Sequence, residues 1–269
     1  MLAPSLLLLV AVLGLPIAFI VASSLQPNVL LTFKGPALDN YYYLAGRAYY
    51  IDVVARTFQQ AALTTLFTVP LGYAAAMMLR ELSGRLGNLA AIGVTFPILA
   101  GPLVVALGWM SLLPDGGPVF GPLVRAGLIA PPRLLGTELA VVISLVQFTL
   151  PFAMLTLFTA LRQIQPQLYE AAASLGAGPV RSFLRVTLPL SLPGVLATAI
   201  IVFSLAASSY ISPHYLGGAA ELTLTTLVAQ FVLATYNGPL AAASAIVLLV
   251  LMVIVIAALS KIFGRMIRP

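Results

Sequence analysis

Residues 170–194 read EAAASLGAGPVRSFLRVTLPLSLPG, and this run decides how the rest of the chain is understood. Pro166, just ahead of it, suits the first turn of a helix, where a missing N–H costs nothing. Glu170 then falls in the early half of that helix. Ala171, Ala172 and Ala173 follow with high helix propensity and minimal bulk. A face of alanines lets another protein's backbone approach closely. Gly176 and Gly178 are expected to take the left-handed conformation that ends the helix. Pro179 pre-sets a second short helix through Ser182, Phe183 and Leu184 to about Thr187, with Arg181 and Arg185 on one face. Pro189 and Pro193 are expected to break that helix where the chain returns to an apolar segment.

The surrounding chain is apolar throughout. Of its 269 residues 61% are hydrophobic and 7% charged, with a mean hydropathy of +1.08. Soluble domains carry roughly a quarter charged residues, so a water-solvated globule is excluded. The length leaves little room for a separate soluble domain, and residues 1–269 read as a single transmembrane domain. Cysteine is absent, which excludes disulfides, thiolate metal sites and thiol nucleophiles. A single histidine and 7 acidic residues argue against a metal centre. The net charge of +6 is not a nucleic-acid footprint, because in a membrane protein what matters is where the positive charges fall.

A hydrocarbon core of roughly 30 Å needs about 20 apolar residues in a helix. Six stretches qualify: Leu2–Ala22, Thr57–Leu79, Leu89–Leu113, Leu139–Leu161, Gly194–Tyr215 and Pro239–Leu259. Their length and the absence of period-two alternation predict an all-α polytopic membrane protein, not a β-barrel. One set of loops holds Arg80, Arg85, Arg162, Arg181, Arg185, Lys261, Arg265 and Arg268. The other holds Lys34, Arg47, Arg56, Arg125 and Arg133, with Asp39, Asp52, Asp115, Glu138 and Glu221. The excess of basic residues makes the first set cytoplasmic, which puts both termini and the loop 162–193 inside. Val21-Ala22-Ser23 offers the small residues of a signal-peptide cleavage site, but a long apolar run without a charged start favours a span. Outside, residues 25–56 carry Tyr41, Tyr42, Tyr43, Tyr49 and Tyr50, read as an interfacial aromatic belt, with a surface for a periplasmic partner as the alternative. The Gly- and Pro-rich residues 114–137 read as a compact turn.

The spacing Glu-Ala-Ala, three residues, Gly176, nine residues, Val186-x-Leu188-Pro189 resembles the EAA loop of permease subunits of bacterial binding-protein-dependent ABC importers. Gly108-Trp109-Met110, Asp115-Gly116-Gly117, Leu150-Pro151-Phe152, Tyr210-Ile211-Ser212-Pro213 and Leu216-Gly217-Gly218 look like its spermidine/putrescine-type branch, from about Phe96 onward. The resemblance implies a type I importer permease fold in a bacterial inner membrane. It implies a coupling helix formed by Glu170, Ala171, Ala172, Ser174, Leu175, Gly176 and Arg181 that docks on an ATP-hydrolysing subunit. The implied partners are two such subunits, a second homologous permease, a periplasmic solute-binding protein and the lipid bilayer. ATP and Mg would bind the partner ATPase and no cofactor this chain. The cargo implied is a polyamine or related amine, with opines, 4-aminobutyrate, phosphonates and ferric ion as alternatives within the same machinery.

Two absences in the sequence agree with that reading. The span centres contain no Asp, Glu, Lys or Arg, the groups that ion-coupled carriers need near the midplane. An ATP-independent channel or carrier is therefore the lesser alternative, as is a membrane scaffold. There is also no phosphate-cradling Gly-x-x-x-x-Gly-Lys-Ser/Thr loop, so no motor resides in this chain. A cation crossing the bilayer here must be met by hydroxyls and amides. Gln59, Gln60, Gln147, Ser204, Ser208, Ser209 and Tyr210 are the candidates, with Pro213 expected to break the helix beside them. His214 follows near the outer interface and joins the path candidates as a gate or substrate contact, and Trp109 reads as an interfacial anchor.

Overall fold

The computed structural model describes residues 2–27, 38–82, 84–218 and 221–267. Its elements are α1 (Leu2–Ser24), α2 (Asp39–Ala45), α3 (Ala48–Glu81), α4 (Gly84–Leu112), α5 (Phe120–Arg125), α6 (Glu138–Arg162), α7 (Pro166–Ser174) and α8 (Pro179–Ser182). A π-helical turn (Phe183–Thr187), α9 (Leu188–Ala207), α10 (Ile211–Leu216), α11 (Leu224–Leu233) and α12 (Gly238–Ile267) complete them. Five stretches are long and apolar enough to cross a membrane: Ala48–Glu81, Ile92–Leu112, Glu138–Arg162, Pro179–Ala207 and Gly238–Lys261. They correspond to five of the six expected spans. The remaining one, Leu2–Ala22, coincides with the 23 residues of α1, about 35 Å of helix. The chain is an all-α, multi-pass membrane protein. Lys34 and Arg268, used in the charge comparison, lie outside the described residues.

Three boundaries differ from expectation. Helix α3 starts at Ala48 instead of Thr57 and runs for 34 residues. That is about 51 Å, well beyond the roughly 30 Å of hydrocarbon, so its first turns stand clear of the core. Helix α4 is two helical pieces joined at Gly101 (φ 75°, ψ 167°). A positive φ there is open to glycine at no steric cost, and Pro102 bars its predecessor from the helical region. The fifth span begins at Pro179, and neither Pro189 nor Pro193 interrupts it. The π turn explains this, because the Leu188 N–H reaches back to the Phe183 carbonyl, five residues earlier. The widened turn accommodates Pro189 at the start of α9, where a proline ring would otherwise meet the carbonyl four residues back.

The chain forms two compact units, Met1–Thr57 with Leu222–Ile254, and Phe58–Glu221 with Val255–Pro269. In the first, Leu44, Tyr50, Val53, Leu224, Leu227, Phe231 and Leu240 make the core. Thr57 Oγ1 accepts the Leu224 N–H at 2.9 Å while its proton goes to the Val53 carbonyl at 2.7 Å. Asn40 Nδ2 donates to the carbonyls of Ser24 (2.8 Å) and Gln26 (2.9 Å), tying α2 to the end of α1. The tyrosine-rich segment is therefore more than a belt. Tyr50 is buried against Phe231, with ring centroids 6.3 Å apart, whereas Tyr42 and Tyr49 stay exposed. Helix α11 starts with reciprocal hydrogen bonds between Thr223 and Thr226, a capping box that satisfies the first free N–H groups.

In the second unit α6 is the central element, packed against α4, α9 and α10. Ala140, Val141, Leu145, Ala153, Leu157 and Leu161 are all fully buried along it. Between membrane helices no hydrophobic driving force operates, so contact rests on small residues and interhelical hydrogen bonds. Both occur here. Hydroxyl pairs link Thr68 to Thr149 (3.1 Å), Tyr73 to Ser191 (2.8 Å) and Ser144 to Ser212 (3.0 Å). Gly194 of α9 faces Ala160 of α6 so closely that an added methyl has no room. Gly194→Val should therefore lower the thermal unfolding temperature of the purified chain, since overpacking costs about 1–3 kcal/mol. Adding Ala160→Gly should restore most of the loss.

Candidate functional site

Helix α7 and the turn after it stand out because none of their residues is buried. The helix starts as its sequence dictates, with Gln165 extended at the N-cap and Pro166 in the first position. Its end is equally defined. The Ala177 N–H reaches the Ala172 carbonyl at 3.0 Å and the Gly176 N–H reaches Ala173 at 2.9 Å. This pair of bonds closes a helix when the residue after the cap is left-handed, and Gly176 has φ +74°. Gly178 does not share that conformation. It is extended (φ −69°, ψ 171°) and caps the start of α8, because the turn needs only one left-handed residue.

Glu170, Ala171, Ser174, Leu175, Gly176 and Arg181 are exposed and Ala172 is half-buried. Leu175 is 87% exposed and Val180 is 72% exposed, so two aliphatic side chains project on either side of the glycine turn. Ser174 Oγ donates to the Glu170 carbonyl at 3.0 Å. Beside them a groove of about 440 Å³ is lined by Ala160, Gln163, Ile164, Leu168, Leu190 and Pro193.

What the sequence did not reveal is how this loop is moored. The Tyr169 hydroxyl accepts from Arg80 Nη1 at 2.8 Å and from Thr187 Oγ1 at 3.3 Å. The Arg80 guanidinium also lies over the Tyr169 ring, 4.9 Å from its centroid. Phe183 meets Tyr73 edge-on at 5.9 Å, and both rings join the cluster of Ala76, Leu79, Met154, Leu157 and Leu161. One tyrosine thus links α7 to the end of α3 and to the π turn. The only signal in the sequence was a tyrosine directly before Glu170, in a helix whose second half is alanine and serine.

The expected path residues fall into separate groups. Helix α9 ends at Ala207, six residues ahead of Pro213, where the break was expected. Pro213 sits inside the first turn of α10, where no N–H is required of it. The break falls on Ser208, Ser209 and Tyr210 themselves. Ser208 Oγ turns back to the Ser204 carbonyl at 2.7 Å. Tyr210 stacks on His214 (4.9 Å, 21°), and His214 meets Tyr215 edge-on at 5.0 Å. Gln147 of α6 accepts a hydrogen bond from the Trp109 indole of α4, which gives that tryptophan a partner within the fold. Gln59 donates to Glu138 at 3.1 Å and Gln60 to Glu221 at 3.2 Å.

The structure is thus a multi-pass helical domain with an exposed, glycine-closed loop between two spans. Residues 68–269 match the family described as binding-protein-dependent transport system inner membrane component. The chain belongs to that family and is a permease component of an ABC importer. It is 32% identical over 208 residues to the spermidine/putrescine transport system permease protein PotB of Haemophilus influenzae, covering 77% of this chain and 73% of that one. Its fold is similar to a bacterial ABC transporter involved in import of the acidic polysaccharide alginate (TM-score 0.79, 20% identity, 100% of this chain and 95% of that one). The same holds for that transporter in complex with an alginate pentasaccharide-bound periplasmic protein (TM-score 0.77, 19% identity, 100% and 94%). The shared architecture is the type I importer permease fold. Such permeases are non-catalytic, and ATP is hydrolysed by separate subunits.

The mooring has a measurable consequence. Tyr169→Phe keeps the ring but removes both hydrogen bonds, each worth about 1 kcal/mol. Amide hydrogen exchange across residues 166–176 should become severalfold faster, with exchange in α6 unchanged.

Proposed function

We propose that α7 and its Gly176 turn are the surface that docks on an ATP-hydrolysing subunit, and that the importer carries a polyamine. The observation that carries the docking reading is Leu175. Leu175, 87% exposed, and Val180, 72% exposed, flank the glycine turn and offer a partner an apolar pair to cover. Alanines on the flanking helix permit that partner's close approach, and Glu170 and Arg181 supply polar contacts at the rim.

The complete assembly in this reading has two ATPase subunits, which hold ATP and Mg, and a second homologous permease beside this chain. A periplasmic binding protein delivers the solute to the opposite face. Both termini and α7 lie on the cytoplasmic side, by the distribution of basic residues. Closure of the ATPase subunits on ATP drags α7, and its mooring to α3 and the π turn carries the motion into the spans. Alternating access follows as the permease rocks between its two openings. The cargo reading is supported by the 32%-identical relative, which belongs to a spermidine/putrescine transport system. Similarity to the alginate transporters speaks for the fold alone.

Because the chain has no native cysteine, Leu175→Cys gives a unique label. It should react freely in the isolated permease and become protected when the ATPase subunit is added. Equal labelling in both states would remove the docking role. Gly176→Val must leave the left-handed region, at a cost of about 1–2 kcal/mol. That variant, and Glu170→Gln, should insert into membranes normally yet lose coupling between ATP hydrolysis and uptake in proteoliposomes. Uptake of labelled putrescine by the complete assembly, dependent on the binding protein and on ATP, tests the cargo.

A further inference from the structure

Far from α7, the outer half of α3 carries polar groups that the docking surface does not use. Gln60 and Thr64 lie one turn apart on a single face. They are 1% and 0% exposed. Gln60 Oε1 and Thr64 Oγ1 have no hydrogen-bond partner. A buried polar atom left unpaired costs about 1–3 kcal/mol, so two on one face call for a reason. The other end of the Gln60 amide donates to Glu221 Oε2 at 3.2 Å, which sets the unpaired amide oxygen beside a carboxylate. Gly217 is what admits Glu221 there, since a Cβ on Gly217 would fall 2.7 Å from the Glu221 Cβ.

We propose that Glu221, Gln60 and Thr64 form a recognition site for an alkylammonium group. Gln60 is bonded to Glu221 and Thr64 lies one turn further along the same face, so a carboxylate stands with two buried, unpaired acceptor oxygens. An ammonium carries three N–H donors and no acceptor, which matches carboxylate, amide oxygen and hydroxyl one for one. The Glu221 partner is a neutral amide, so the negative charge remains to attract a cation, and charge-assisted bonds are the strong ones. An anionic or uncharged solute gains nothing from the same set.

The location fits arrival from the side opposite α7. Gln60 is about 30 Å along α3 from Arg80, the residue that grips Tyr169. A cation entering there exchanges its water shell for fixed acceptors before it meets the carboxylate-free span centres. The site gives the polyamine reading a point of recognition in this chain and rests on that reading for its biological role.

The test uses the complete importer in nanodiscs, with labelled putrescine binding measured in the absence of the binding protein. Uptake is measured in proteoliposomes with it. Glu221→Gln should weaken putrescine binding at least about tenfold, the scale of one charge-assisted hydrogen bond. Thr64→Val, which keeps shape and packing, should weaken it severalfold and stays informative if the first variant assembles poorly. Diacetylated putrescine should fail to compete. Unchanged binding in both variants, or equal competition by the diacetyl compound, overturns the site. Wild-type uptake that neither variant alters overturns the site and leaves the polyamine reading standing. Loss of binding in the variants, with no wild-type uptake of putrescine, keeps the site and removes the polyamine reading.

Discussion

Inside a bilayer no water is available to the peptide group, so each backbone N–H and C=O must find its partner within the chain. That requirement governs where this protein is regular and where it is not. The spans run as helices whose departures from regularity are few and local. Gly101 turns α4 through a conformation suited to glycine. The π turn at Phe183–Thr187 stands directly before Pro189 and carries the helix past it. At the end of α9 the chain breaks on serines, and Ser208 answers the last turn of its own helix. Each irregularity sits next to the residue that makes it affordable in hydrocarbon.

Helix contacts obey the same economy. Side chains gain little from leaving lipid for protein, so the second unit is held by closeness and by hydroxyl pairs. Gly194 lets α9 approach Ala160 of α6, and Thr68, Thr149, Tyr73, Ser191, Ser144 and Ser212 bond across helices. The exposed loop is attached to this framework through Tyr169. A force on α7 reaches α3 through Arg80 and the start of α9 through Thr187. The exposed loop is therefore poor in buried contacts of its own but tied to two other elements.

The loop was legible in the sequence because its chemistry is local. Pro166 starts a helix, and Gly176 ends it with two hydrogen bonds to carbonyls within five residues. Gly178 misled because either glycine satisfies the same local rule, and only the closing bonds distinguish them. Pro189 and Pro193 misled for a related reason. A proline is a break or a passenger according to whether the turn before it widens, as the Phe183–Thr187 turn does ahead of Pro189. Helix α11 escaped notice because its ten residues are too short for a span, and its capping threonines resemble any other apolar-flanked pair.

By itself the sequence determined that the chain is helical, crosses the membrane repeatedly, carries no nucleotide-binding loop and has a short helix closed by Gly176 between two spans. Those properties follow from hydropathy, periodicity and short-range capping, which act over a few residues. The tertiary structure alone decided that Tyr169 anchors the loop, that Gly194 sets the α6–α9 spacing, and that Gln60 meets Glu221 rather than lying idle on α3. Each of those joins residues far apart in the chain. Their partners are chosen by which helix faces come together, and no window of sequence contains both sides.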